Sequence, residues 1–409
     1  MPPAYLRASR FASLAFALSA FSSPALIGCT SASDSSPGTA GTTGSAGTTG
    51  RAGTTGAAGT TGAGGTSTED PYAGYAAKAL HVSGNKLVDT TGATVRLLGV
   101  NRAGSEYMCV PPTQGSYTFD GSTGPSTITA MKSWHINTVR LPLNESCWLG
   151  VAGTLEPAVQ YQADIEDYVQ RLHAQGIYVI LDLHWSSWNG SPATGQTTMA
   201  WAVHAPQFWT SVATRFKNDP MVIFDLYNEP ILDSADQKGN NPVGDANAVW
   251  SCWLNGCNVT SGMTAGMQSL LNAVRATGAT QIVIANGVDW AHKLDQWLTH
   301  PLTDPSHNVI AGVHLYNNGG CNNQSCWDST IANVAAMVPV VTGELGEFDC
   351  NHAFIDGYMT WADSHGVGYL GWAWNPQSCS TFPGLITDAA GTPSTFGQGL
   401  HDHLLQVNP

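Results

Sequence analysis

Val222-Ile223-Phe224-Asp225-Leu226-Tyr227-Asn228-Glu229-Pro230 is the stretch on which the fold turns. Its β-branched and aromatic beginning predicts a buried strand. Its Asn-Glu-Pro end stops that strand, because Pro230 has no N–H to give to a sheet ladder. A carboxylate at the mouth of a buried strand is costly unless it is paired, hydrogen-bonded or in use. Alone, Glu229 would pass for a cap on the next helix or turn. A second strand repeats the arrangement: Val338-Pro339-Val340-Val341-Thr342-Gly343-Glu344 also ends an apolar run on a glutamate.

On either side of these two strands the chain alternates. A short opening hairpin, 80–88, precedes a first buried strand at 94–101. Helical periodicity then marks 126–134, 157–175, 205–217, 262–277, 290–298, 327–337, 353–365 and 394–405. Strand patterns fall between them at 136–141, 177–184, 222–227, 281–285, 309–316, 340–343 and 367–374. Strand–helix alternation of this length predicts an α/β fold with a parallel sheet, and eight units predict a closed (β/α)8 TIM barrel.

In such a barrel the chemistry sits beyond the carboxyl ends of the strands. Polar and aromatic residues gather there: Arg140, His184, Asn228 with Glu229, His314 with Tyr316, Glu344, and Trp372 with Trp374. Any one of them has an ordinary explanation as a core or supporting side chain. Their placement at six strand ends predicts one shared mouth. Two glutamates there are what two-carboxylate cleavage of a glycosidic bond requires.

The amino end is of another kind. Arg7 and Arg10 precede an apolar run from Phe11 to about Ile27, which ends in Leu26-Ile27-Gly28-Cys29. This is a secretory signal pattern, and its last four residues resemble the lipidation box of bacterial lipoproteins, with Cys29 the modified residue. An ordinary signal peptide cleaved near Ser22, Ser23 or Ala25 is the alternative. Residues 29–70 are almost wholly Gly, Thr, Ala and Ser and read as a disordered tether. The organisation expected is a signal at 1–28, a linker at 29–70 and a catalytic barrel at 71–409. The protein is expected to be exported and monomeric, held at the cell surface or outer membrane through the lipid, or secreted if the box is not used.

Composition narrows the partners. Acidic residues outnumber basic ones, 29 to 15, which argues against nucleic acid. Only 11% of residues are charged, and 14 Trp and 12 Tyr suit stacking on neutral sugars as well as core packing. Setting Cys29 aside, eight of the nine cysteines remain, an even set that implies disulfides in an exported domain. Order along a barrel predicts the pairs Cys109–Cys147, Cys252–Cys257, Cys321–Cys326 and Cys350–Cys379. Without a Cys-x-x-Cys pair or a His-rich tract, no metal site and no cofactor is expected. Gly366-Val367-Gly368-Tyr369-Leu370-Gly371 matches a dinucleotide fingerprint, but it lies inside a predicted strand and so lacks the required strand–turn–helix context.

Thr138-Val139-Arg140-Leu141-Pro142, Leu181-Asp182-Leu183-His184, Tyr227-Asn228-Glu229-Pro230, Val313-His314-Leu315-Tyr316, Thr342-Gly343-Glu344-Leu345-Gly346 and Gly371-Trp372-Ala373-Trp374 resemble, in order and position, the motif series of glycoside hydrolase family 5, the cellulase family. The resemblance runs from about Ala79 to the end. It implies a retaining mechanism with Glu229 as acid/base and Glu344 as nucleophile. Asn228 would bind the sugar 2-hydroxyl, His184 and His314 would orient the floor, and Trp372 would stack beneath the sugar. Glu344 is expected to be kept ionised by Arg140 and Tyr316. The substrate class implied is a β-1,4-glucan cut endo-fashion, with a β-mannan or other β-glycan as alternative. A non-catalytic glycan-binding lipoprotein is the reading outside enzymology, and the presence of Glu229, Glu344, Asn228 and Arg140 together argues against it. Trp148, Trp185, Trp188, Trp201 and Trp327 are the candidates for further subsites.

Overall fold

The computed structural model describes residues 72–113, 117–187, 189–232, 245–259, 262–379 and 382–408. The signal segment, Cys29, the linker and Trp188 lie outside the described residues. Among those described, no helix is long and apolar enough to cross a membrane.

The chain enters through β1 (His81–Ser83) and β2 (Lys86–Val88), a hairpin extended by β3 (Thr94–Val95) into a three-stranded antiparallel sheet. The expected strand 94–101 is therefore two strands. Thr94-Val95 pairs with β2, and the barrel begins only at β4 (Leu98–Asn101). Then follow α1 (Pro125–Ser133), β5 (Thr138–Asn144), α2 (Glu145–Leu149), α3 (Ala158–His173), β6 (Tyr178–Trp185), α4 (Ala205–Phe216) and β7 (Val222–Asp225). The cysteine-bearing insert after β7 holds α5 (Ala246–Asn255) and the small hairpin of β8 (Asn258–Val259) with β9 (Gly262–Met263). That hairpin takes the first residues of the expected helix 262–277, which starts instead at Met267 as α6 (Met267–Arg275).

Beyond it come β10 (Val283–Asn286) and β11 (Val309–Tyr316). The helix expected at 290–298 is absent. Asp289, Trp290 and Ala291 have φ of 57°, 59° and 58°, a left-handed run that no right-handed helix can contain. A 3-10 turn at Trp297–Thr299 is all that forms. Next, α7 (Gln324–Cys326) runs through a π turn (Trp327–Ile331) into α8 (Ala332–Ala335), followed by β12 (Val340–Gly346), α9 (Ala353–His365), β13 (Gly368–Gly371) and α10 (Thr395–Val407). The Gly-x-Gly-x-x-Gly match does lie across a strand.

Eight strands close the barrel in the order β4, β5, β6, β7, β10, β11, β12, β13 and back to β4, each parallel to its neighbours. Because side chains alternate between strand faces, each strand sends one set inward and one toward the helices. Val179, Leu181 and Leu183 of β6 join the layer beneath the helices, where α3 buries Tyr161, Ile165, Tyr168, Val169 and Leu172. Ile180, Ile223, Ile284, Ile310, Val341 and Leu370 form a separate apolar plug, closed from below by Leu80 and Leu87. Two residues further along β6, β7 and β10, the same faces carry Asp182, Asp225 and Asn286. The interior changes from apolar to polar along its axis.

Many of the aromatics belong to this packing. The indole N–H groups of Trp209, Trp253 and Trp297 donate to the carbonyls of Leu226, Asn286 and Ala285, at 2.9, 2.8 and 3.0 Å. They satisfy backbone groups just where strands end.

Candidate active site

Arg140 is the centre of the mouth. It leaves β5 facing inward, wholly buried, between Asn101 on β4 and Ile180 on β6. Its Nε donates to Asp225 at 2.9 Å, Nη2 lies 3.0 Å from Asp182, and Nη1 donates to Glu344 at 2.9 Å and to Asn101 at 3.1 Å. Nη2 also donates to Asn228 Oδ1 at 2.8 Å. Burial works against the Arg140 charge, but the three carboxylates outweigh it and keep the guanidinium protonated. Burial pushes Asp182 up to about 7 and Asp225 well above the usual carboxylate range, with Arg140 pulling both back.

Glu344 arrives by a device in β12. Thr342 pairs with Val313, but Glu344 pairs with His314, so Gly343 is an extra residue at a bulge. Thr342 then turns outward, where its Oγ1 lies 2.5 Å from the Tyr358 hydroxyl of α9, while Glu344 turns inward. A Cβ on Gly343 would stand 2.9 Å from His314 Nε2, so a larger residue would push the floor histidine aside. The Glu344 oxygens are divided between Arg140 and the Tyr316 hydroxyl, which donates at 2.6 Å. Burial first, then the charge of Glu344, raises Tyr316 well above 10 and keeps it a donor.

Glu229 is placed differently. It follows β7 on a short extension, its side chain 15% exposed against 5% for Glu344. His314 Nδ1 lies 3.0 Å from Glu229 Oε1 and 3.7 Å from Glu344 Oε1. Oxygens of the two glutamates and a nitrogen of His314 all fall within 4.8 Å of one another. Burial first and Glu344's charge second raise Glu229 well above 4.5, with Arg140 opposing. His314 is held well below 6.5 by burial and by Arg140, so it stays neutral. These three side chains have the spacing to hold a cation, yet Arg140 and Tyr316 already occupy Glu344's oxygens.

His184, near the end of β6, directs Nδ1 to Asp182 at 2.6 Å, and burial holds it down to about 3. A neutral ring with its proton on Nδ1 leaves Nε2 as an acceptor facing Asn228 Nδ2 at 3.4 Å. Trp372 stacks on His184, ring centroids 5.5 Å apart and planes 11° from parallel, and Phe382 lies tilted beside it at 5.9 Å. Of the residues expected at the mouth, all but one are thus there. Trp374 instead packs edge-on against Trp134 at the end of α1, in the core layer under the helices, because successive side chains beyond β13 do not all face the barrel axis. Among the described subsite candidates, Trp148, Trp201 and Trp327 are buried, at 0%, 3% and 6%, and only Trp185 is partly exposed at the end of β6.

The four expected disulfides are present, with Cα separations of 6.2 Å (Cys109–Cys147), 5.1 Å (Cys252–Cys257), 5.2 Å (Cys321–Cys326) and 5.2 Å (Cys350–Cys379). The first joins the loop after β4 to α2, and the last joins the loops after β12 and β13. Asn144 adds a hub: Oδ1 caps α2, while Nδ2 donates to Glu106 O at 2.7 Å and Ala193 O at 2.8 Å.

Sequence reasoning missed several members of the site. Asp182 and Asp225 had a signal, since a lone acid in an apolar strand must have a partner. Asn101 had none, nor did Gln196, whose Oε1 accepts from Asn228 Nδ2 at 3.2 Å.

Several known proteins share this chain's pattern. A manganese-dependent endoglucanase, Eg5A of Phanerodontia chrysosporium, is 29% identical over 61% of this chain and 60% of its own length. A mannan endo-1,4-beta-mannosidase of Cellvibrio japonicus is 23% identical over 58% of this chain and 50% of its own length. The chain thus spans about half to three fifths of these two relatives. In fold it is similar to the beta-glucanase SdGluc5_26A of Saccharophagus degradans, solved in complex with cellotetraose. That match has a TM-score of 0.61 at 23% identity and covers 81% of this chain and 94% of the other. Residues 88–378 match the family model described as Cellulase (glycosyl hydrolase family 5), and the chain belongs to that family.

Proposed function

We propose that this protein is an endo-acting β-1,4-glucanase that cleaves with retention through a covalent glycosyl-enzyme. The observation that carries the proposal is the unequal environment of two glutamates set close together. Glu344 is gripped by Arg140 and Tyr316, which suits an anionic nucleophile aimed at the anomeric carbon. Glu229 is raised by burial and by its neighbour's charge, which suits an acid that must carry its proton when substrate arrives. The approach of their oxygens to within 4.8 Å agrees with the roughly 5 Å separation of retaining enzymes.

In the first step Glu344 attacks the anomeric carbon while Glu229 gives its proton to the departing glycosidic oxygen. Glu229, now a carboxylate, then takes a proton from water, and the water oxygen displaces Glu344 from the sugar. His314 holds Glu229 in line, and Tyr316 releases Glu344's oxygen as that atom becomes bonded to carbon. Asn228 donates to the sugar 2-hydroxyl, and Trp372 offers a face to the ring. The glucanase named above, with its cellotetraose, favours a glucan. The mannosidase among the relatives makes β-mannan the second reading.

The test is a panel of carboxymethylcellulose, mixed-linkage glucan, xyloglucan, mannan and xylan, scored by reducing ends, with the product anomer followed by NMR. Retained anomer on the glucans is expected, and inverted product from the parent enzyme would end the proposal. Glu344→Ala should lose about 10⁴-fold or more in kcat and regain turnover with azide, giving inverted product. Because Glu229 works protonated and its pKa is raised, activity should hold through the mildly acidic range and fall as pH rises through that pKa.

Attachment is a separate proposal. The Leu26-Ile27-Gly28-Cys29 box supports export as a lipoprotein, with 29–70 as a tether. Cys29→Ser should release the protein from membranes or stall its processing. A mature form starting upstream of Cys29, without added lipid mass, would refute it.

A further inference from the structure

The loop between β6 and α4 lies along the end of β7, and three successive residues hold it there. Thr197 O accepts from the Tyr227 hydroxyl at 2.9 Å, and Thr198 O accepts from Ile231 N at 2.9 Å. Before them, Gln196 Nε2 donates to the carbonyl of Glu229 at 2.7 Å, and Gln196 Oε1 accepts from Asn228 Nδ2 at 3.2 Å.

The donor directions here are fixed by chemistry. A guanidinium only donates, so the Asn228 atom facing Arg140 is its oxygen. A backbone carbonyl only accepts, so the Gln196 atom facing Glu229 O is its nitrogen. The remaining amide ends then meet as donor and acceptor. One chain results: Arg140 to Asn228, Asn228 to Gln196, Gln196 to the Glu229 backbone. The second Asn228 N–H faces His184 Nε2 at 3.4 Å, a long contact that an entering sugar hydroxyl can replace.

We propose that Gln196 is a positioning residue for Asn228. It holds the amide so that its free N–H meets the sugar 2-hydroxyl, and it ties that amide to the backbone carrying the acid/base. The inference rests on the role given to Asn228 above. Terminal amide torsions are broad, so one anchor at Arg140 leaves the amide free to rock, and a second anchor fixes it. A misplacement of about 1 Å in such a group costs up to roughly 100-fold.

The test is Gln196→Met, close in shape but without the amide, assayed on an aryl β-cellobioside alone and in an Asn228→Ala background. Alone, it should lower kcat roughly 10- to 100-fold with little change in KM. In the Asn228→Ala background the same substitution should cost less than about threefold, because the group it positions is gone. On the 2-deoxy analogue of the substrate its effect should likewise nearly vanish. An equal cost in both backgrounds, or an undiminished cost on the 2-deoxy substrate, would mean a mere loop tether and overturn the proposal. Should Gln196→Met fail to fold, Gln196→Ala removes the amide without filling its space and goes through the same cycle. If the functional reading itself is wrong, the parent's product anomer and the azide rescue of Glu344→Ala fail first. An additive cycle with those intact rejects Gln196 alone.

Discussion

The two ends of the barrel interior are built from the same strands and held by different forces. At the amino end, Ile180, Ile223, Ile284, Ile310 and Leu370 pack against one another with no charge among them. A few residues on, at the carboxyl end, Arg140, Asp182, Asp225, Glu344, His184 and His314 are nearly as buried and make one connected network. The disulfides are divided just as unevenly, all four lying in the connections that follow the carboxyl ends of barrel strands. An apolar plug gains from every surface it removes from water and tolerates small shifts. A buried charged network is stable only while every member keeps its partner. Rigidity at the mouth is therefore an all-or-none property, and loop cross-links protect it.

The largest effect should come from the hub. Arg140→Leu leaves Asp182, Asp225 and Glu344 buried around an apolar side chain, so both stability and catalysis should fall: about 3–5 kcal/mol in urea unfolding and about 10³-fold or more in kcat. Loss of activity with stability intact would show that the network is not what holds the mouth.

The matching cut at the floor is Leu370→Ala. It should cost about 2–5 kcal/mol by leaving a cavity, while kcat stays within about twofold of the parent because the lost side chain packs within the apolar plug and the backbone is kept. A large fall in kcat would erase the distinction between the two ends. Next comes the Cys109–Cys147 link, whose ends are 38 residues apart. The double replacement by Ser should cost about 2–4 kcal/mol, and opening Cys321–Cys326, only 5 residues apart, should cost less.

The smallest effect is a change of slope with pH. Burial pushes Glu106, in the loop after β4, up to about 8 from 4.5. An unfolded chain gives up this proton near 4.5, whereas the folded one keeps it to about 8. Between those values the unfolded state binds fewer protons, so stability should fall as pH rises. Glu106→Gln should flatten the dependence, raising Tm at pH 8 by a few degrees and leaving pH 5 nearly unchanged. An unaltered slope would show that Glu106 is not the group responsible.

Much of this could be read along the chain. Period-two and period-3.6 patterns placed the eight barrel strands and most helices. The strand-end positions of Glu229, Glu344, Arg140 and Tyr316 made the site legible because a parallel barrel brings all carboxyl ends of its strands to one face. What failed was local. The helix at 290–298 has the right apolar spacing, but its first residues adopt left-handed backbone under the demands of the loop, which periodicity cannot register. Thr94–Asn101 reads as one strand because its composition is uniform, and only its two pairing partners divide it.

By itself, then, the sequence determined the class of fold, the order of its units and the strand-end positions of Glu229 and Glu344, since those follow from side-chain period and from what a strand can carry at its end. The tertiary structure alone decided how each acid is held. That Asp182 and Asp225 share Arg140 with Glu344, that His314 lies 3.0 Å from a more exposed Glu229, and that Gly343 adds the residue turning Glu344 inward are relations among strands far apart in the chain. So is the link from Arg140 through Asn228 to Gln196. Charge and hydrogen bonding act over a few ångströms in space, and the sequence records neighbours along the chain rather than distances between strands.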